Sequence, residues 1–195
     1  MKKILAFCLL ALLWQGAGAG APAKGKTKMK NSPKLETAVL AGGCFWGMEE
    51  IIRRTPGVAE TRVGYTGGIT ADPKYEDVKS GTTGHAESIE VKFDPAKLTY
   101  GALLDLFFTM HDPTTPGRQG NDVGWQYRSA IFYIGPLQKV EAEDAVKRAQ
   151  ASGLWKAPIA TGIVPLVKFW PAEDYHQDYL LKHPGGYTCH YIRKK

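Results

Sequence analysis

From residue 37 onward the sequence alternates between short apolar runs and longer segments of helical period, and this order constrains the fold more than any other feature. "TAVLA" (37–41) reads as a short buried strand and is followed by a helix over about 44–54 and an extended stretch "VAETRVGYTG" (58–67). "AESIEVKFD" (86–94) alternates apolar and polar residues, as a half-buried strand does. "TYGALLDLFFTMH" (99–111) has helical spacing, "SAIFYI" (129–134) is strand-like, and "PLQKVEAEDAVKRAQAS" (136–152) starts with proline and continues with strong helix formers. "APIATGIVPLVKFW" (157–170) is extended and broken by Pro165, and a short helix is expected at about 172–182. Interleaved strands and helices, with strands apolar on one side, predict a two-layer α/β sandwich: a mixed sheet with helices mainly on one face. Two polar, glycine-rich segments, 64–85 and 112–128, are long enough to be functional loops.

The first residues follow different rules. "MKK" is a basic start, "ILAFCLLALLW" an apolar run of about 11 residues, and "AGA" (17–19) a small-residue cleavage pattern. The run is short of the ~20 residues that span a bilayer, so residues 1–19 are expected to be a signal peptide cut after Ala19, with no stable membrane insertion afterwards. Cys8 leaves with it. Residues 20–34 are lysine-rich and lack an apolar period, which predicts a disordered linker; a weak attraction to an anionic membrane surface stays open for it. The folded domain is then 35–195. The formal charge of +6 belongs to the leader and linker, because 35–195 holds 18 Lys and Arg against 19 Asp and Glu. A nucleic-acid protein carries its basic patch on the domain itself, so no nucleic-acid partner is expected. Export, to the periplasm or to the medium, places the two remaining cysteines, Cys44 and Cys189, where disulfides persist.

Cys44 lies in "GGCFWG" (42–47), where a strand turns into a helix. Unpaired N–H groups and the helix dipole favour negative charge there, so this thiol is expected to ionise easily and act as a nucleophile. Three further stretches stand out: "YEDVKSGTTGHAE" (75–87), "HDPTTPGRQGNDVGWQYRSA" (111–130) and "HPGGYTCHY" (183–191). None of the five histidines has an HxxxH partner, so no metal site is expected.

With these four stretches in this order, the chain resembles the peptide-methionine sulfoxide reductase A family from about Val39 to His190. That family returns methionine sulfoxide to methionine, with one enzyme type per sulfoxide epimer. The resemblance implies Cys44 as the nucleophile, Phe45 and Trp46 as the pocket for the S-methyl group, and Glu87 as the acid that protonates the departing oxygen. It implies Tyr75 and Tyr127 as hydrogen-bond donors to that oxygen and Asp122 as an organiser of the polar network. Cys44 would be left as a sulfenic acid, which condenses with a second thiol. Cys189, in a glycine-bearing segment expected to be mobile, matches members with a single resolving cysteine. Further implications are the S epimer as substrate, free or in oxidised proteins and peptides, no cofactor, a thioredoxin-like dithiol protein as reductant, and a monomer. Two rival readings stay open: a Cys-His hydrolase using His85 or His190 as base, and an exported binding domain stapled by a structural Cys44–Cys189 disulfide.

Overall fold

The central strand of the sheet is the apolar run read at 37–41. In a computed structural model that describes residues 34–194, it forms β1 (Glu36–Gly42). The chain continues through α1 (Phe45–Ile52), β2 (Val58–Thr66), α2 (Tyr75–Lys79), β3 (Ala86–Phe93) and α3 (Tyr100–Met110). A small hairpin of β4 (Arg118–Gln119) and β5 (Asp122–Val123) follows, then a 3-10 turn at Trp125–Tyr127. β6 (Ser129–Tyr133), α4 (Pro136–Ala151), β7 (Gly162–Pro165), β8 (Phe169–Pro171) and α5 (Tyr179–Lys182) complete it. The expected leader at 1–19 lies outside the described residues, as does the linker up to residue 33.

The sheet order is β7-β6-β1-β3-β2-β8, antiparallel except for the parallel β6–β7 pair. β1 is apolar at successive positions because both of its faces are covered. Ala38 and Leu40 join Ile89, Val91, Val63, Tyr65 and Ile131 under the helices, against Phe45, Met48, Leu103 and Phe107. Val39 and Ala41 face the other way, into a smaller cluster with Ala86, Ala130 and Phe132 that Leu166 and Phe169 cover. The helical layer therefore lies on one face, as the alternation predicted, and an extended crossing segment closes the other. α4 lies on α3 through Ala142, Ala145 and Ala149, small residues that permit close approach, while Leu137 and Val140 on its outer side stay exposed. α3 starts on Thr99, whose Oγ1 accepts the Ala102 N–H at 3.1 Å.

Two expectations need correction. The helix expected over 172–182 is only the four-residue α5. Gln177 instead bonds the β2 edge, its Oε1 accepting the Val63 N–H at 2.9 Å and its Nε2 donating to the Val63 carbonyl at 2.9 Å. Asp178 then takes the left-handed conformation, φ +52°, which ends helical geometry before Tyr179. The second concerns 64–85 and 112–128, which are not wholly irregular: they contain α2, and the hairpin with its 3-10 turn.

Candidate active site

The C-terminal end of β1 delivers Cys44 as the cap residue of α1. Gly42 and Gly43 make this possible. A Cβ on Gly42 would lie 2.9 Å from the Phe107 ring, and Gly43 has φ +100° with Gln119 packed where its side chain would be. Gly47, one turn on, leaves room for the C-terminal segment: a Cβ there would lie 2.6 Å from His190 Nδ1.

Cys44 is 7% exposed. Burial pushes its thiol well above the usual range, and the charge of Glu87 adds to this, opposed by the Trp46 backbone N–H. The expectation of an easily ionised thiol is therefore corrected. The helix start does favour the thiolate, but desolvation outweighs it, and the thiol keeps its proton in this state.

Glu87 opens β3 and is 3% exposed. Its Oε2 accepts the Phe45 N–H at 3.1 Å. Burial pushes this carboxyl up to about 8, with the charge of Asp122 adding and the Phe45 N–H opposing. Glu87 is thus mostly protonated at neutral pH, as a proton donor must be. Tyr75, at the start of α2, and Tyr127, in the 3-10 turn, are half-buried. Burial raises both phenols, Tyr75 to about 12, and next the charge of Glu87; Cys44 contributes to both. The four groups are electrostatic neighbours, drawn together from three parts of the chain.

Phe45 and Trp46 take different places. Phe45, 1% exposed, is core, packed on Tyr65 and His176 with ring centres 5.9 and 5.1 Å away. Trp46 is half-buried and stacks on Tyr179 at 3.8 Å and 11°. Its indole N–H donates to His176 Nδ1 at 3.1 Å, which leaves the second imidazole nitrogen, buried without a partner, as the protonated one. Glu173 accepts the Tyr75 N–H at 3.0 Å and the Tyr65 hydroxyl at 2.9 Å. The sequence reading missed His176, Tyr179 and Glu173, which no local motif marks.

Asp122 binds the second cysteine. It accepts from the Cys189 thiol at 3.3 Å and from the Tyr187 hydroxyl at 3.0 Å. Burial, then that bond and that charge, push Cys189 up to about 12, while the Cys44 backbone N–H pulls it down. Both thiols are free. The Cys189 segment is docked here rather than loose. His190 donates from Nε2 to the Gly42 carbonyl at 2.7 Å, and the Arg193 N–H reaches the Thr109 carbonyl at 2.9 Å.

The histidines do not serve Cys44 as a base. His85 bridges loop backbone, with Nε2 donating to the Thr70 carbonyl at 2.8 Å and Nδ1 accepting the Gly68 N–H at 3.1 Å. Burial lowers His190 to about 4, and its Nε2–H is committed to Gly42. Among the described residues no three His, Cys, Asp or Glu cluster as metal ligands, and no helix is long and apolar enough to cross a membrane. A cavity of about 600 Å³ opens over Phe132, Trp125 and Lys168, but contains no thiol and no carboxylate.

Two free thiols brought together at the start of α1, one of them beside a carboxyl kept protonated by burial, define a thiol-dependent oxidoreductase. The sequence pattern of the family described as "Peptide methionine sulfoxide reductase" matches residues 36–195. A relative from Mesorhizobium japonicum named "Peptide methionine sulfoxide reductase MsrA 1" is 57% identical over 158 residues, 81% of this chain and 90% of that one. Mxr1 from Saccharomyces cerevisiae in reduced form matches with a TM-score of 0.78 at 38% identity, over 82% of this chain and 93% of the other. Mxr1 in complex with Trx2 matches with a TM-score of 0.57 at 28% identity, over 86% and 97%. The chain belongs to the peptide methionine sulfoxide reductase family, MsrA type, and is an oxidoreductase acting on methionine sulfoxide.

Proposed function

We propose that the enzyme reduces the S epimer of methionine sulfoxide, free or in exported proteins, by oxygen transfer to Cys44 followed by disulfide formation with Cys189. The observation that carries this proposal is the pairing of a proton-bearing Glu87 with Cys44 while Cys189 stays a free thiol, held by Asp122, at the same site. Mutual repulsion disfavours losing both protons of the Cys44–Glu87 pair, so once one has left to solvent the other is retained. In the productive form that proton sits on Glu87 and Cys44 is the thiolate. Cys44 sulfur attacks the sulfoxide sulfur, the oxygen takes the Glu87 proton and moves from the methionine sulfur to the Cys44 sulfur as the sulfur–sulfur bond breaks, and methionine leaves with Cys44 as a sulfenic acid. Glu87 ends as a carboxylate and regains a proton from solvent. Tyr75 and Tyr127 donate to the oxygen while it carries charge. Trp46, backed by Phe45, takes the methyl group.

In the second stage the Cys189 sulfur attacks the Cys44 sulfenic acid. Its proton passes to Asp122 and from there to the departing hydroxyl, which leaves as water. A thioredoxin-like dithiol then reduces the disulfide; the Trx2 complex of Mxr1 supports a donor of this type. The enzyme needs no resident cofactor and acts as a monomer outside the cytoplasm, in the periplasm or the medium, once the leader at 1–19 is cut.

The test is turnover of a racemic methionine sulfoxide peptide with dithiothreitol as reductant. A chiral sulfur can place its methyl on Trp46 and its oxygen toward Tyr75, Tyr127 and Glu87 in one hand only. Consumption should stop at half the substrate, with the R epimer left over. Complete consumption at a single rate contradicts the pocket.

A further inference from the structure

We propose that Glu49 is a positioning residue for the methyl pocket: its carboxylate pins the 176–179 segment and thereby the Trp46 ring, without touching a reacting atom. This rests on the pocket assigned above. Glu49 is 2% exposed in the middle of α1, a costly place for a carboxyl unless it is bonded. Both of its oxygens are used. Oε2 accepts the Asp178 N–H at 2.7 Å and Oε1 accepts the Thr61 hydroxyl at 3.1 Å. Asp178 is one of two non-glycine residues with positive φ among the described residues. That conformation persists only where the surroundings hold it, and the Glu49 carboxylate grips its N–H.

Both clamps on Trp46 flank this point. Tyr179, next after Asp178, lies flat on the indole. His176, two residues before it, accepts the indole N–H and packs against Tyr75 with ring centres 4.4 Å apart. The groups facing Glu49 are Arg53 on its own helix, the Asp178 carboxylate, and Thr61 on β2, with Glu60 lining the same crevice. Burial raises Glu49 to about 7, the Asp178 charge adds, and the Asp178 N–H, Thr61 and Arg53 oppose. The latch is therefore an ionisable one.

The experiment measures KM and the saturating rate for methionine sulfoxide with dithiothreitol in wild type, Glu49→Gln, Tyr179→Ala, the double variant and Thr61→Val. Glu49→Gln should raise KM by roughly tenfold, because the Asp178 N–H then meets a neutral amide oxygen in place of a carboxylate, with the saturating rate within about twofold, since uniform binding alone is lost. Tyr179→Ala should raise KM similarly, and the double variant should add little, because both act through the same ring. Thr61→Val keeps the Asp178 contact and should leave KM alone. An unchanged KM in an active Glu49→Gln enzyme overturns the proposal, as does full additivity in the double variant. If Glu49→Gln does not fold, an unchanged KM in Tyr179→Ala overturns it equally. A wild type that reduces no sulfoxide at all would fail the proposed function itself, which separates the two.

Discussion

Cys44→Ser should form no methionine from methionine sulfoxide, in one turnover or in many, while the protein stays folded. A serine oxygen is neither soft nor able to hold the transferred oxygen, so no slow residual route through position 44 is expected. The fold has little reason to notice. Cys44 makes no side-chain capping bond to α1, and serine is a better helix cap than cysteine. The thermal midpoint should therefore hold or rise slightly. Methionine released per enzyme, read beside the melting curve, checks both parts. Any turnover with dithiothreitol removes Cys44 from the nucleophile's place.

Glu87→Gln should slow oxygen transfer by about 10²–10⁴-fold, the usual range for a lost general acid, and at the same time stabilise the protein. The carboxyl titrates near 4.5 when exposed and near 8 in the fold. Between those values unfolding releases a proton, so stability contributed by the protonated group is complete below about pH 4.5 and is lost as pH rises toward 8. Glutamine has no such loss. At pH 7 the variant should be more stable by on the order of 3 kcal/mol, with the gap closing as pH falls to 4.5. Denaturant titrations at pH 5 and pH 7 read the trend. A slower enzyme that is also less stable at pH 7 would make Glu87 structural.

How much of this was legible before the fold depends on the range of the interactions. The strand–turn–helix around Cys44 was readable because glycine pair, cap and apolar run all lie within 36–52. Glu87, Tyr75, Tyr127 and Asp122 were legible through motif resemblance alone; their residue types and spacing are equally those of turns and strand starts. The ionisation of Cys44 was misjudged because the helix start is local while burial is not: β3, with Glu87, and the 187–193 segment close over the thiol from afar. His176, Glu173 and Tyr179 stayed hidden for a related reason. The pairing of β8 with β2, Gly64 against Pro171, carries that stretch over α1. The helix expected at 172–182 failed at the same place, since Gln177 prefers the open edge of β2 to a helical turn.

In the proposed mechanism the Cys44–Cys189 bond is made by the reaction and is no permanent staple. Intact-mass and peptide mapping of the reduced wild-type protein, before and after one equivalent of methionine S-sulfoxide in the absence of reductant, tests it most directly. Two free thiols are expected before addition, then one methionine released per enzyme and a disulfide joining residues 44 and 189, with loss of two hydrogens. A 44–189 disulfide present before substrate and unchanged by it, or methionine formed with both thiols still free, would contradict it.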